Sequence, residues 1–203
     1  MRILTLFFLL SFSVFTQPKV VIYSGINSPT QLGSIDETTY LYPNWNVGIN
    51  AGFGLEYILT NQLSITPTIE FNYYSFNRYS PEVMIPENRV EHSTGEASQI
   101  TRLFVDFKLF DLPDDNFRVY FSSGGGYVIE RIGLVRVTWS DLSSSEFNSS
   151  IQFPNKNYFV HTLGIGFQLK VLPQIDLDIA WKHYTNYSDR VHYSLNIGAV
   201  YQL

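Results

Sequence analysis

Residues 192–203 read HYSLNIGAVYQL and alternate between apolar and polar side chains along the whole stretch. One face carries Tyr193, Leu195, Ile197, Ala199, Tyr201 and Leu203, whereas the other carries Ser194, Asn196, Gly198 and Gln202, with Val200 as an apolar exception. Because the side chains of a β-strand point alternately to opposite faces, this pattern predicts a strand with one apolar and one polar face.

Seven other segments of the chain alternate in the same way, and together with the last stretch they predict eight strands. The seven segments span residues 19–26, 46–59, 63–73, 102–109, 117–130, 159–171 and 175–182. The connections after the second, fourth and sixth strands are short, whereas those at 27–45, 77–97, 131–157 and 185–191 are longer. Short turns on one rim and long loops on the other are typical of outer-membrane barrels. An even number of strands would place both termini on the short-turn rim.

The composition indicates one β domain without a nucleic-acid partner. The chain has 203 residues, a length that suits a single barrel or sandwich. Charged residues make up only 15% of it, and 18 acidic residues outnumber 13 basic ones, so no electrostatic footprint for a nucleic acid is expected. Because the sequence has no cysteine, a disulfide framework, thiolate metal sites and a lipoprotein anchor are excluded.

The N-terminal residues predict export from the cytoplasm. Met1 and Arg2 form a short positive start, and residues 3–15 form an apolar run of the length found in secretory signal peptides. We predict a signal peptide over residues 1–17, cleaved near its end, and a barrel domain over residues 18–203. No later apolar run is long enough for a spanning helix, so any membrane span must consist of strands.

Alternation alone does not decide which face points inward, because a soluble lipocalin-like barrel would place its apolar face inside. The polar face carries recurrent glycines, which suit a narrow eight-stranded lumen, and the long strands suit a tilted membrane crossing. Aromatic residues gather at strand ends, with Trp45, Tyr73, Phe159, Trp181 and Tyr193 near the long-loop rim and Tyr57, Phe117 and Tyr201 near the short-turn rim. We therefore predict an all-β, eight-stranded antiparallel transmembrane up-and-down β-barrel with its apolar face toward lipid.

The polar face then lines the lumen and carries charges of both signs. These residues are Glu56, Glu70, Arg102, Asp106, Lys108, Lys170, Asp176, Asp178 and Lys182. Isolated charges would be costly in that setting, so we expect them to pair across the lumen. Since side chains nearly fill an eight-stranded interior, a plugged lumen is favoured over an ion or substrate path.

The terminal strand resembles the C-terminal insertion signal of Gram-negative outer-membrane β-barrels, here as Asn196, Gly198, Tyr201 and Leu203. With its strand count and loop asymmetry, the chain resembles small barrels of the OmpA, OmpX and OmpW type. Its G-x-G-x-x-Y spacing at residues 52–57 and the following TNQLSITP look like barrel proteins of Bacteroidota. The resemblance implies a monomer without metal or cofactor, with periplasmic termini and extracellular long loops. It also implies contact with outer-membrane lipid and lipopolysaccharide, and insertion by the barrel-assembly machinery.

His192 and Ser194 form the one arrangement that suggests catalysis. Two residues apart on a strand they share a face, where an imidazole could take the hydroxyl proton. The spacing is similar to the His-x-Ser of outer-membrane lipid A deacylases, which add a glutamate further downstream. With the sequence ending at Leu203, we expect no such glutamate, and the polar face is the wrong side for a lipid substrate. We therefore predict that the protein is not an enzyme.

Three functions follow from these patterns. The favoured one is a non-enzymatic outer-membrane barrel with a structural, surface-interaction or adhesion role, since the long loops could bind surfaces. The alternatives are a narrow passive pore for small or hydrophobic solutes and a lipid A-modifying enzyme.

Overall fold

A computed structural model describes the protein over residues 17–28, 45–77, 89–111, 116–140, 146–152, 154–185 and 191–203. The predicted signal peptide lies outside these ranges except for its last residue, so its prediction stands as made. Within the described residues, no helix is long and apolar enough to cross a bilayer.

The described residues form strands that are numbered here in chain order. They are β1 (Lys19–Asn27), β2 (Gly48–Ile58), β3 (Leu63–Tyr74), β4 (Arg89–Gly95), β5 (Ser98–Phe110), β6 (Phe117–Arg131), β7 (Val135–Ser140), β8 (Glu146–Ile151), β9 (Lys156–Leu172), β10 (Ile175–Thr185) and β11 (Val191–Gln202). Eight of them close into a barrel in the order β1-β11-β10-β9-β6-β5-β3-β2, with every pair antiparallel. Because β1 pairs with both β2 and β11, the barrel has no free edge.

Alternation of side chains accounts for the two surfaces of the barrel wall. Along β5, for example, inward positions are buried and most outward positions are exposed, in strict succession. The outward positions of the wall are mostly apolar, and Ile49 and Phe159 expose 62% and 70% of their surface. A continuous exposed apolar band of this kind is typical of the lipid-facing wall of membrane barrels. The closed antiparallel order of the eight strands confirms the predicted up-and-down barrel.

The three strands outside the barrel form a separate sheet in two of the predicted long loops. We call β4, β7 and β8 the long-loop sheet, since β7 pairs with β4 on one side and with β8 on the other. The sequence prediction treated these residues as loop. β4 offers almost no apolar alternation, because its sequence is RVEHSTG, and its partner lies some forty residues away.

The lumen at the long-loop end is filled by a cluster that we call the apolar plug. It consists of Trp45, Tyr74, Ile100, Val128, Ile132, Val135, Val137, Val160 and Tyr184, with Phe76 and Tyr158 packed against it. Its members come from the ends of barrel strands, from β7 of the long-loop sheet and, for Trp45 and Ile132, from positions just outside the strands. The same cluster thus closes the barrel and fixes the sheet above it.

Trp45 corrects one of the sequence predictions. It was expected on the lipid-facing rim, but only 2% of its surface is exposed. It lies before the start of β2 and forms an isolated bridge to Phe76, whose ring it meets edge to face at 5.4 Å. Odd-numbered residues of β2 face outward, but this alternation does not extend back to Trp45, whose indole packs into the apolar plug.

Candidate functional site

The first group of charges inside the lumen is built around Glu70. Glu70 and Arg102 lie opposite each other on β3 and β5, and Arg102 Nη1 is 2.5 Å from Glu70 Oε1. The second carboxylate oxygen accepts hydrogen bonds from Tyr23 at 2.9 Å and Tyr184 at 3.1 Å. The guanidinium carbon also lies 4.2 Å from the centre of the Tyr184 ring. The free-energy cost of burying this ion pair is therefore offset by hydrogen bonds from two further strands, donated by Tyr23 on β1 and Tyr184 on β10.

A second group joins Asp106 on β5 to Lys182 on β10. Lys182 Nζ lies 2.5 Å from one carboxylate oxygen, and Thr162 donates its hydroxyl to the other oxygen at 2.5 Å. The same ammonium lies 4.5 Å from the centre of the Phe104 ring. Because β5 and β10 are not neighbours in the sheet, this pair bridges the lumen.

The third group lies nearer the short turns and centres on Asp178. Lys108 Nζ is 2.9 Å from Asp178 and 3.4 Å from Glu56, so one ammonium serves two carboxylates. Tyr120 and Gln168 also donate to Asp178, at 2.7 and 3.2 Å. Lys108 and Asp178 again come from strands that are not neighbours in the sheet.

The structure thus brings together seven of the nine charged residues predicted for the lumen. The remaining two lie toward the short-turn end, where Asp176 pairs with Lys19 at 3.1 Å and Lys170 is exposed. Between the second and third groups lies a small cavity of about 30 Å³. That is room for about one or two water molecules.

Four asparagines form a further network that the sequence analysis did not predict. Asn50 donates to Asn27 at 3.0 Å and to Asn196 at 2.8 Å, while Asn27 donates to Asn72. Arg102 also donates to Asn72, at 2.9 Å, so the network joins the first charged group. Each asparagine occupies an inward position of its strand. The alternation of the strands therefore could have placed all four in the lumen, but not their contacts.

At the short-turn end, the lumen widens into what we call the mouth cavity, of about 360 Å³. The residues that line it come from the turns and the adjacent strand ends: Lys19, Ile58, Asn61, Asn116, Arg118, Gln168, Lys170, Pro173, Gln174, Asp176 and Gln202. Arg118 Nη2 donates to Gln168 Oε1 at 2.8 Å, and its guanidinium carbon lies 4.4 Å from the centre of the Phe110 ring. Sequence reasoning missed Arg118 because the faces of β6 were not assigned, although Arg118 lies in phase with the buried positions Tyr120 and Ser122.

His192 and Ser194 are both buried inside the barrel. Ser194 Oγ accepts a hydrogen bond from Asn196 at 3.1 Å and donates to Tyr184 OH at 3.5 Å, while His192 lies opposite Tyr184 in the register. The pair therefore faces the lumen, away from the acyl chains that a lipid A-modifying site must reach. In the described part of the chain, no group of three or more potential ligands could hold a metal ion.

The remaining aromatic and terminal residues lie on the barrel wall. Tyr73, Phe159, Trp181 and Tyr193 face outward near the long-loop end, and Tyr57 and Phe117 face outward near the short-turn end. Trp181 and His183 both stack near the ring of Tyr193, at 5.7 and 4.9 Å between ring centres. In the terminal strand Asn196 is buried in the lumen, whereas Tyr201 and Leu203 are exposed on the outside; Gly198 lies beneath the Tyr23 side chain.

No protein-family profile and no curated protein matches this sequence. Among solved structures, Neisserial surface protein A is similar with a TM-score of 0.51 and 12% identity, over 92% of this chain and 96% of that chain. Ail, the attachment invasion locus protein of Yersinia pestis, gives a TM-score of 0.48 at 13% identity, over 92% and 98%. A major outer membrane protein from Thermus thermophilus gives 0.48 at 12%, over 93% and 100%. At this identity the likeness concerns the fold, which is that of the eight-stranded outer-membrane β-barrels.

Proposed function

We propose that this protein is a non-enzymatic integral protein of the Gram-negative outer membrane, which holds the long-loop sheet at the cell surface for interaction or adhesion. Its lumen is plugged and carries no solute flux. The observation that carries the proposal is the apolar plug, because one buried cluster both seals the barrel and anchors the sheet through Val135 and Val137. A sheet fixed in this way is pre-organised, so binding a partner costs little ordering entropy.

The outer face of the long-loop sheet supports the surface role. Positions on β7 alternate, so that Arg136 and Thr138 point away from the plug. The register places polar neighbours beside them on the same face, namely His92 and Thr94 on β4 and Asn148 and Ser150 on β8. Thr138 donates to Asn148 at 2.8 Å, and Arg136 keeps 59% of its side chain exposed. This face is a polar surface with both donors and acceptors.

The proposed location rests on the barrel wall and on the terminal strand. The exposed apolar band supports contact with outer-membrane lipid and lipopolysaccharide, and the terminal motif supports recognition by the barrel-assembly machinery. The termini are proposed to be periplasmic and the long loops extracellular, after removal of a signal peptide over residues 1–17. We further propose a monomer without cofactor, related to OmpA, OmpX and OmpW-type barrels of Bacteroidota.

The surface role is tested by attachment of cells that display the protein. A His92→Ala, Arg136→Ala, Asn148→Ala triple variant strips the outer face of the sheet but leaves the plug intact. Cells of a Gram-negative host that express the wild type should attach to epithelial monolayers several times better than cells with the triple variant. Gln62→Ala, in an exposed turn at the opposite end, is the control and should attach like the wild type. The surface role would be contradicted if cells with the wild type, the triple variant and Gln62→Ala all attach no better than cells with an empty vector.

The plugged lumen is tested separately by planar-bilayer conductance. The mouth cavity is the one observation that favours a pore, since it opens the short-turn end, but it leads only to the charged groups and the plug. We expect no stable conductance steps from the wild type. Regular steps in its conductance would support the narrow pore instead. A change in the mass of lipid A when the protein is expressed would support the other alternative, a lipid A-modifying enzyme.

A further inference from the structure

We infer that the mouth cavity at the short-turn end is a binding site for a small oxyanion of the phosphate class, held chiefly by Arg118. This inference is independent of the proposed surface role, because the cavity lies at the opposite end of the barrel from the long-loop sheet. It concerns a ligand that reaches the lumen from the side of the short turns.

The cavity has the size and the walls of a small-molecule site. Its volume of about 360 Å³ falls within the range of about 300–1,000 Å³ that is typical of ligand pockets. Hydrogen bonds of the backbone hold its rim together, from Lys170 N to Asn116 O at 2.8 Å and from Gln202 N to Gln174 O at 2.9 Å. The side-chain amides of three lining glutamines supply neutral donors and acceptors along the wall. The site is therefore concave, polar and formed in advance.

The charge of the cavity wall is positive in the described residues. Lys19, Arg118 and Lys170 line it, and Asp176 is the one acidic side chain among its lining residues. Asp176 is engaged by Lys19 at 3.1 Å, which leaves the charges of the other two cations uncompensated within the wall. A cleft that carries charge of one sign between low-dielectric walls concentrates the field and attracts ions of the opposite sign.

Arg118 differs from the cations of the three lumen groups. Arg102, Lys108 and Lys182 each contact a buried carboxylate, whereas the described residues provide Arg118 with no carboxylate within 4.0 Å. Its two described partners are the neutral Gln168 oxygen and the ring of the phenylalanine that ends β5. The bond to Gln168 uses one nitrogen of the guanidinium, and the ring contact restricts its position. The remaining donors are thus held at the cavity, and the described residues offer them no carboxylate within 4.0 Å.

The geometry of the guanidinium favours a phosphate-type ligand. A planar fork of N–H donors binds phosphate with two parallel hydrogen bonds, and such charge-assisted bonds are about twice as strong as neutral ones. Lys170 can add a second positive charge from the rim, and the amides can bind hydroxyl groups of the same ligand. The phosphate can belong to a dissolved solute or to a lipid headgroup at the inner surface of the membrane.

The test uses the folded full-length barrel and inorganic phosphate as the probe. Saturable broadening of the inorganic phosphorus-31 resonance is expected with the wild type in a detergent-free nanodisc of phosphatidylcholine. Arg118→Gln should weaken binding roughly 10–100-fold, because it removes the charged donors of the site. Arg118→Lys keeps the charge but not the fork, and it should weaken binding less. Arg131→Gln, which removes an exposed arginine at the other end, is the matched control and should bind like the wild type.

A second arm distinguishes the two sources of phosphate. Barrels in nanodiscs of phosphatidylglycerol are compared with those in phosphatidylcholine, and crosslinking from residue 170 reports lipid at the mouth. Saturable inorganic phosphate binding that depends on Arg118 supports a dissolved ligand. Lipid crosslinks that depend on both Arg118 and phosphatidylglycerol support a headgroup. The inference is overturned if neither probe binds, or if both bind equally well to folded Arg118→Gln, as judged by the faster migration of the unboiled barrel on SDS gels.

Discussion

At the long-loop end of the barrel, aromatic and aliphatic side chains fill the lumen, whereas at the short-turn end the lumen opens into a polar cavity of about 360 Å³. Between the two ends, three groups of buried ion pairs span the interior. The apolar plug gains free energy from burial and fixes the long-loop sheet. Arg118, at the other end, gains no such stabilisation from a carboxylate among the described residues. The contrast separates residues that hold the fold from residues that are available to a ligand.

The largest effect is expected in the buried interior just below the apolar plug, from Arg102→Met. This change leaves the fully buried Glu70 carboxylate without its cation, and breaking a buried pair in this way costs about 3–5 kcal/mol. The free energy of unfolding is measured by urea titration of the barrel in lipid vesicles.

The double variant Arg102→Met, Glu70→Met is the control for that measurement. Replacing both partners removes the uncompensated charge, so most of the lost stability should return. If the single variant loses less than about 1 kcal/mol, the middle of the lumen is too hydrated for the buried-pair argument to hold.

Next in size is a local effect at the plugged end, from Val137→Asp. Val137 is buried in the apolar plug, and an unpaired carboxylate there costs about 2–3 kcal/mol or more in the docking of the sheet. We expect β4, β7 and β8 to become sensitive to protease while the barrel strands stay protected.

Thr138→Asp is the matched control for the sheet, because Thr138 is the next residue of β7 and faces the other way. It should leave the protease pattern unchanged. Equal cleavage of both variants would mean that the plug does not anchor the sheet, and the end of the barrel would be sealed by the loops alone.

A smaller effect is expected from Gly166→Ala in the wall between the ends. A Cβ at Gly166 would lie 2.5 Å from Tyr120 Cζ and 2.8 Å from the carbonyl oxygen of Ile179. The ring cannot easily move away, because Tyr120 donates to Asp178 in the third charged group. Overpacking of this kind costs about 1–3 kcal/mol, measured in the same urea titration.

Gly125→Ala provides the comparison on the outer side of the same wall. Its added Cβ would meet only the Val160 carbonyl oxygen, at 3.3 Å. We expect a change within about 0.5 kcal/mol, since little has to shift at a lipid-facing position. A loss at Gly125 as large as that at Gly166 would show that glycine is needed for strand bending and not for room in the lumen.

The barrel could be predicted from sequence because period-two alternation is a local property that survives along long strands. The same parity placed Glu70, Asp106 and Asp178 on the inward face. Their partners could not be assigned, since pairs such as Asp106 and Lys182 join strands that are not neighbours and depend on the curvature of the closed wall.

The ends of the barrel were harder to predict, and for different reasons. Trp45 lies outside a regular strand, so extending the alternation of β2 to it predicted the lipid-facing side, which is wrong. The long-loop sheet depends on pairing between β4 and β7, which are distant in sequence, and β4 is poor in apolar residues. Arg118 shares the inward phase of β6, but its contact with Gln168 joins two strands and could not be assigned from sequence. Regular strands are thus predictable, whereas features that close or open the lumen depend on tertiary contacts.

The smallest effect is expected at the open end, from Lys19→Gln. Lys19 and Asp176 form an ion pair that lines the open mouth, and their side chains are each 16% exposed against 2% and 0% for Arg102 and Glu70, so water screens their attraction more. The loss should be no more than about 1 kcal/mol, and it should shrink further at high salt, because screening weakens such pairs. The free energy of unfolding is measured in low and high salt. A salt-independent loss as large as that of Arg102→Met would mean that the mouth is as rigidly built as the middle of the lumen. In that case the mouth residues would stabilise the fold, and the proposed difference in role between the plugged end and the open end would be wrong.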